Sequence, residues 1–284
     1  MSTTTQHQPR SNASSLLRRH PLAVFFSLTY VAAWLLWAPL VIFRDSMPGG
    51  VGFILALLGT LVPSTVAVVL VGKLHGKPGV RRLFGRLLMG RVGIRWYVAL
   101  ALVPMIGLLA LGLSVLLGGS TEEMNTTVIA VLVGLVFSIF PGSAMGEELG
   151  WRGFALPGLQ AKHSALSASL LIGPVWGLWH LPLWLTGRES HPISLFPVFV
   201  VSVITLSVLC TWMYNGTGGS LLLVVLLHAT ANLPLTFVIT PLGKDMTQIF
   251  LIFVALMVVA ATVVVVATGP ANLSRTRQKQ VAMP

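Results

Sequence analysis

The sequence predicts an all-α, polytopic membrane protein, and three observations carry that prediction. Apolar runs of roughly 20 residues, enough to cross a hydrocarbon core as helix, recur along all 284 residues. Charged residues make up 9% of the chain against 55% apolar, where a soluble domain carries about 25% charged. The Lys and Arg residues, which give a net charge of +11, sort by side of the membrane instead of clustering on one face. That distribution argues against a nucleic-acid partner and for a lipid environment.

Eight spans are expected, at about 22–43, 51–72, 95–118, 128–156, 170–187, 193–214, 219–240 and 247–268. The first is too long, and too well flanked, for a cleaved signal peptide. Between the second and third, Val80, Leu83, Phe84, Leu87 and Leu88 recur at helical spacing, with Arg81, Arg82 and Arg86 off that stripe. This pattern fits a short interfacial helix with arginines toward anionic head groups. The sixth span holds Cys210, the single cysteine, so an internal disulfide and a Cys-based metal site are excluded. The organisation is then a disordered tail over 1–20, an eight-helix membrane domain over 21–269 with its motifs in 147–232, and a basic tail over 270–284.

Orientation follows from the basic residues. Arg10, Arg18 and Arg19, the loop from Lys73 to Arg95, Arg152, Lys162, Arg275, Arg277 and Lys279 lie on one side. Arg44, Arg188 and Lys244 lie on the other. The positive-inside rule puts both termini in the cytoplasm of a cell membrane, as an even number of spans requires. Asp45, Glu122, Glu123, Glu189 and Asp245 then fall in outer loops. The two remaining acids, Glu147 and Glu148, fall inside the fourth span, where a carboxylate is costly and its default reading is functional.

Other polar residues share that depth. Trp176 and His180 are four residues apart in the fifth span, and His228 and Asn232 four apart in the seventh. Each pair therefore shares one helix face. With helix ends at Leu156, Leu170 and Gly219, Glu147, His180 and His228 all lie about 13–15 Å from the same boundary. Glu148 and Arg152 are spaced i, i+4 with the acid first, the favourable order for an internal ion pair. Glu147 is rotated about 100° away on the helix and has no local cation. Gly146, Gly150 and Gly153 thin the helix surface and allow close approach by neighbours.

The ordered set Glu147-Glu148-x-x-x-Arg152, Trp176-x-x-x-His180 and His228-x-x-x-Asn232 resembles the type II CAAX prenyl endopeptidases and their bacterial relatives, the CPBP or Abi family of intramembrane proteases. One departure is Trp176, where the family usually has Phe. The resemblance implies an eight-helix fold and an active site that opens toward the cytoplasm. It implies hydrolysis of a peptide bond in a membrane-associated substrate, prenylated CAAX-type or other. By the same resemblance Glu147 activates water with the help of His180, His228 and Asn232 stabilise the oxyanion, and Glu148, Arg152 and Trp176 support them.

The chemistry of these residue types agrees. Amide hydrolysis needs a base for water and donors for the developing oxyanion. A carboxylate partly withdrawn from water is the stronger base. Glu147, His180 and His228 also make a His₂Glu set that would suit Zn²⁺, although the zincin signature His-Glu-x-x-His is absent. Both a metal-free and a Zn²⁺-dependent version stay open, with the first preferred. Outside proteolysis, a proton-coupled transporter would use the same intramembrane Glu and His residues, but the inverted repeat it would bring is not found. A non-catalytic scaffold would keep the fold alone.

Overall fold

The computed structural model describes residues 12–120, 126–140, 142–186, 192–234, 236 and 246–275. The outer-loop placements of Glu122, Glu123, Glu189 and Asp245, and of Arg188 and Lys244, lie outside the described residues. Among the described residues every regular element is helical. Residues 12–19, expected within a disordered tail, form α1 (Asn12–Arg19).

The expected spans appear as follows. α2 (Pro21–Ile42) starts with Pro21 in its first turn, where the missing N–H costs nothing. α3 (Gly49–Thr60) and α4 (Val62–Gly85) take the place of the second span and meet at a bend of 41°. Within α4 the helix kinks at Gly76, whose φ of 64° suits glycine. The stretch beyond the kink is the expected helix between spans two and three, with Leu83 buried and Arg81 and Arg82 exposed.

α5 (Ile94–Val98) runs on into α6 (Leu102–Leu116) as one 23-residue apolar stretch. The fourth span is not one regular helix. α7 (Val128–Ile139) ends at an extended Phe140, and α8 (Ser143–Gly150) restarts after Gly142. A Cβ on Gly142 would lie 2.2 Å from the Phe137 carbonyl oxygen, so this break requires glycine. A π-helical turn over Trp151–Ala155 follows, then α9 (Leu156–Gln160).

α10 (Ala165–Trp179) is capped by the Ser164 hydroxyl, which accepts from the Ser167 N–H at 3.1 Å. It continues through His180 into α11 (Leu181–Leu185). α12 (Phe196–Gly216), α13 (Leu221–Leu233) and α14 (Met246–Thr268) complete the bundle.

Among the described residues six helical stretches are long and apolar enough to cross a membrane, or seven with the α3–α4 pair counted as one span. The expected seventh span, 219–240, is present as the 13-residue apolar α13. At 1.5 Å per residue it covers about 20 Å, less than a full hydrocarbon core. Large apolar side chains on the outside of the bundle are strongly exposed, among them Leu35, Leu116, Val128, Ile129 and Val266. In water such a surface would be an aggregation hazard; in lipid it is the solvated face.

The interior explains how the site is held. α10 packs along α12, and α8 lies against α4. The second contact is close because of two glycines: a Cβ on Gly146 would meet the Thr60 carbonyl oxygen at 2.7 Å, and one on Gly150 the Pro63 carbonyl oxygen at 2.6 Å. The Ser64 hydroxyl seals it by donating to the Met145 carbonyl at 2.8 Å. α8 is thereby clamped backbone to backbone against the α3–α4 bend.

Candidate active site

Both carboxylates of α8 are fully buried, as is Arg152 in the π-helical turn below them. Glu148 and Arg152 form the expected ion pair: one guanidinium nitrogen, Nη1, donates to Oε1 at 2.9 Å and to Oε2 at 3.1 Å. The pair has a third member. His228 Nδ1, on α13, lies 2.8 Å from Glu148 Oε1. Glu148 therefore orients an imidazole as well as neutralising an arginine, a link across 80 residues with no local signal in the sequence.

Trp176 connects this group to Glu147. Its ring lies beneath the Arg152 guanidinium, 4.3 Å from centroid to Cζ, in cation–π contact. Its indole Nε1–H donates to Glu147 Oε2 at 2.5 Å. The ring edge meets His228 at 5.1 Å. The other oxygen of Glu147, Oε1, is buried with no partner among the described residues. A buried carboxylate oxygen without a donor is rare enough to call for a functional reason.

His180 closes α10. Its Nδ1 lies 2.9 Å from the Trp176 carbonyl oxygen, an acceptor only, so Nδ1 carries the hydrogen and Nε2 keeps its lone pair. The ring is held edge-on by Trp179 and Phe199. Asn232, one turn after His228, bridges the break in the fourth span. Its Nδ2 donates to Ser138 Oγ on α7 at 2.8 Å and to Ser143 Oγ on α8 at 2.9 Å.

Glu147, His180, His228 and Asn232 line one cavity of about 90 Å³, together with Ser143 and Trp176, closed by Val203, Leu206 and Phe253 from α12 and α14. The structure thus brings together the four side chains expected from sequence to be catalytic, and stacks the three expected to support them behind. Ser143 and Asn232 also form a wall of a second, larger and mainly apolar cavity of about 430 Å³, bounded by Phe53 and Leu57 of α3 and Phe137 of α7. Ser138 and Ser143 went unread in the sequence, although Ser143 lies one helical turn before Glu147 on the same face.

Among the described residues no three His, Cys, Asp or Glu side chains are grouped so as to hold an ion.

A many-helix membrane protein with a glutamate–histidine centre closed inside the bundle is the class that this fold and site define. The family model described as type II CAAX prenyl endopeptidase Rce1-like matches residues 127–234, the stretch from α7 to α13 that contains every residue of the centre. CAAX prenyl protease 2 of Methanococcus maripaludis is 29% identical over 230 residues, which cover 74% of this chain and 82% of that protein. The two matches bear out the resemblance carried by the three motifs: over the stretch that holds its centre, this multi-pass membrane protein is similar to the type II CAAX prenyl endopeptidases.

Proposed function

We propose that the protein hydrolyses a peptide bond of a membrane-associated substrate by glutamate-activated water. The observation that carries this reading is the unpartnered Oε1 of Glu147 in a cavity that also takes in His180, His228 and Asn232. Water bound between Glu147 Oε1 and His180 Nε2 gives its proton to Glu147 as its oxygen attacks the carbonyl carbon. The histidine lone pair accepts a hydrogen bond from the second hydrogen, which stays on the attacking oxygen, and so fixes the direction of attack.

The developing oxyanion needs donors. His228 Nε2–H can serve as one, with Glu148 against Nδ1. Asn232 supplies an amide N–H once the substrate has displaced Ser143, which stands between the two cavities. Collapse of the intermediate breaks the C–N bond, and Glu147 returns the proton to the leaving amine.

The inner cavity is too small for a peptide, so only the bond under attack enters it. The apolar outer cavity beside it suits the rest of a lipid-embedded or lipid-modified segment, a prenylated CAAX-type tail among them. Positive charge at the loops on one side supports both termini, and the opening of the site, facing the cytoplasm. The experiment is comparison of peptide termini in membranes of cells that make the wild-type protein or Glu147→Gln, with a farnesylated CAAX peptide as the defined probe. Substrate-derived termini present only with the wild type are expected. Identical profiles would count decisively against proteolysis.

A further inference from the structure

A third cavity, of about 260 Å³, lies further along α5 and α14, and none of its residues belongs to the catalytic centre. Its walls are Arg95 and Trp96 at the start of α5, Trp212 near the end of α12, Val263, Val264, Ala267 and Thr268 at the end of α14, and Ser274 and Arg275 beyond. All three helices present the same end of the bundle here, the end where the sequence gathers its basic residues. One part of the cavity is apolar and open to the lipid-facing surface; the other carries two guanidinium groups.

Arg95 is stacked on a ring, and the backbone that leads to Arg275 is held in place. Arg95 lies over the Trp96 ring at 5.3 Å, and Trp96 packs on Trp212 with centroids 4.9 Å apart. Arg275 follows a short segment folded firmly onto the bundle. The Ala165 and Leu166 N–H groups donate to the Ala271 and Pro270 carbonyls at 2.9 and 3.0 Å, and Asn215 Nδ2 donates to the Asn272 carbonyl at 2.7 Å. Leu273 is fully buried at a φ of 46°, a left-handed conformation that a branched side chain rarely adopts. The fold holds this strain and thereby sets Ser274 and Arg275 at the rim. No acid among the described residues lines the cavity, so nothing in the protein wall neutralises the two charges.

We propose that this cavity binds an anionic phospholipid of the surrounding bilayer. The phosphate sits between Arg95 and Arg275, and an acyl chain lies along Val263 and Val264. Guanidinium groups pair with phosphate in two-pronged geometry, and tryptophans at this level are suited to the head-group boundary. Each arginine should favour an anionic over a zwitterionic head group about fivefold.

Trp96 and Trp212 make the site its own reporter. The full-length protein is placed in phosphatidylcholine vesicles that carry a minor fraction of brominated phosphatidylglycerol or brominated phosphatidylcholine, and tryptophan quenching is measured. Stronger quenching by the brominated phosphatidylglycerol is expected. The excess should vanish when both reporters are replaced (Trp96→Phe with Trp212→Phe). It should fall about fivefold with each of Arg95→Gln and Arg275→Gln, and persist in the Lys variants, which keep the charge. Equal quenching by the two lipids in the wild type overturns the proposal. So does a head-group preference that survives loss of both arginines, or relief of quenching by inorganic phosphate alone.

Discussion

The indole N–H of Trp176 donates to Oε2 of Glu147, joining α10 to α8 inside the bundle. In the related family this position is usually phenylalanine, which has no such hydrogen to give. On the proposed mechanism the bond holds one carboxylate oxygen still so that the other points at water. Trp176→Phe keeps the aromatic face under Arg152 and loses the donor. A hydrogen bond to a charged group is worth about 1.5–3 kcal/mol, so kcat on a farnesylated CAAX peptide should fall roughly tenfold or more with KM little changed. A purely packing role for Trp176 would leave kcat within about twofold.

The two adjacent glutamates should respond oppositely to neutralisation. Glu148→Gln strands buried Arg152 and removes the support of His228, and breaking a buried pair in this way costs about 3–5 kcal/mol. Thermal unfolding in detergent should show a large drop. Glu147→Gln removes a carboxylate with one unpartnered oxygen, so unfolding should stay within a few degrees of the wild type while cleavage disappears. Equal loss of stability in both variants would assign Glu147 a structural role.

Asn232 and Ser143 separate donor from staple. Asn232→Ala should cost about 10²–10³ in kcat, the usual loss of one oxyanion donor. Ser143→Ala removes one hydrogen bond across the break and should cost about 1 kcal/mol of stability while activity stays within severalfold. If both variants lose activity alike, Asn232 acts only by holding α7 to α8.

Cleavage should survive removal of divalent metal. Incubation of the purified protein with 1,10-phenanthroline, followed by desalting, is expected to leave the rate unchanged. One zinc per chain by elemental analysis, with activity lost on chelation and restored by Zn²⁺, would replace the water-activating glutamate with a metal centre.

Local features were legible in the sequence because they obey short periodicities. The apolar runs gave the positions of α2, α6, α12 and α14, and i, i+4 spacing gave the Glu148–Arg152 pair. The same spacing left Glu147 without a local cation, and its Oε1 has no partner among the described residues. What escaped depends on tertiary geometry. His228 reaches Glu148 from another helix, and the Trp176 indole depends on how α10 is turned. The break after Ile139 had a signal in Gly142, masked by the apolar run that gave 128–156 as one span. The π-helical turn at Trp151–Ala155 left no compositional mark. The helix at 12–19 was hidden by its polar composition.

The Arg152–Glu148–His228 chain also settles an electrical account. Arg152 stands against Glu148 inside the bundle, and His228 Nδ1 lies on the same carboxylate. A paired charge can be kept from water where a lone charge could not. When Glu147 takes a proton and the oxyanion forms, one negative charge moves a few ångströms and none enters or leaves. On the proposed mechanism the charge of the centre is therefore constant through the cycle, and the surrounding hydrocarbon meets only its displacement.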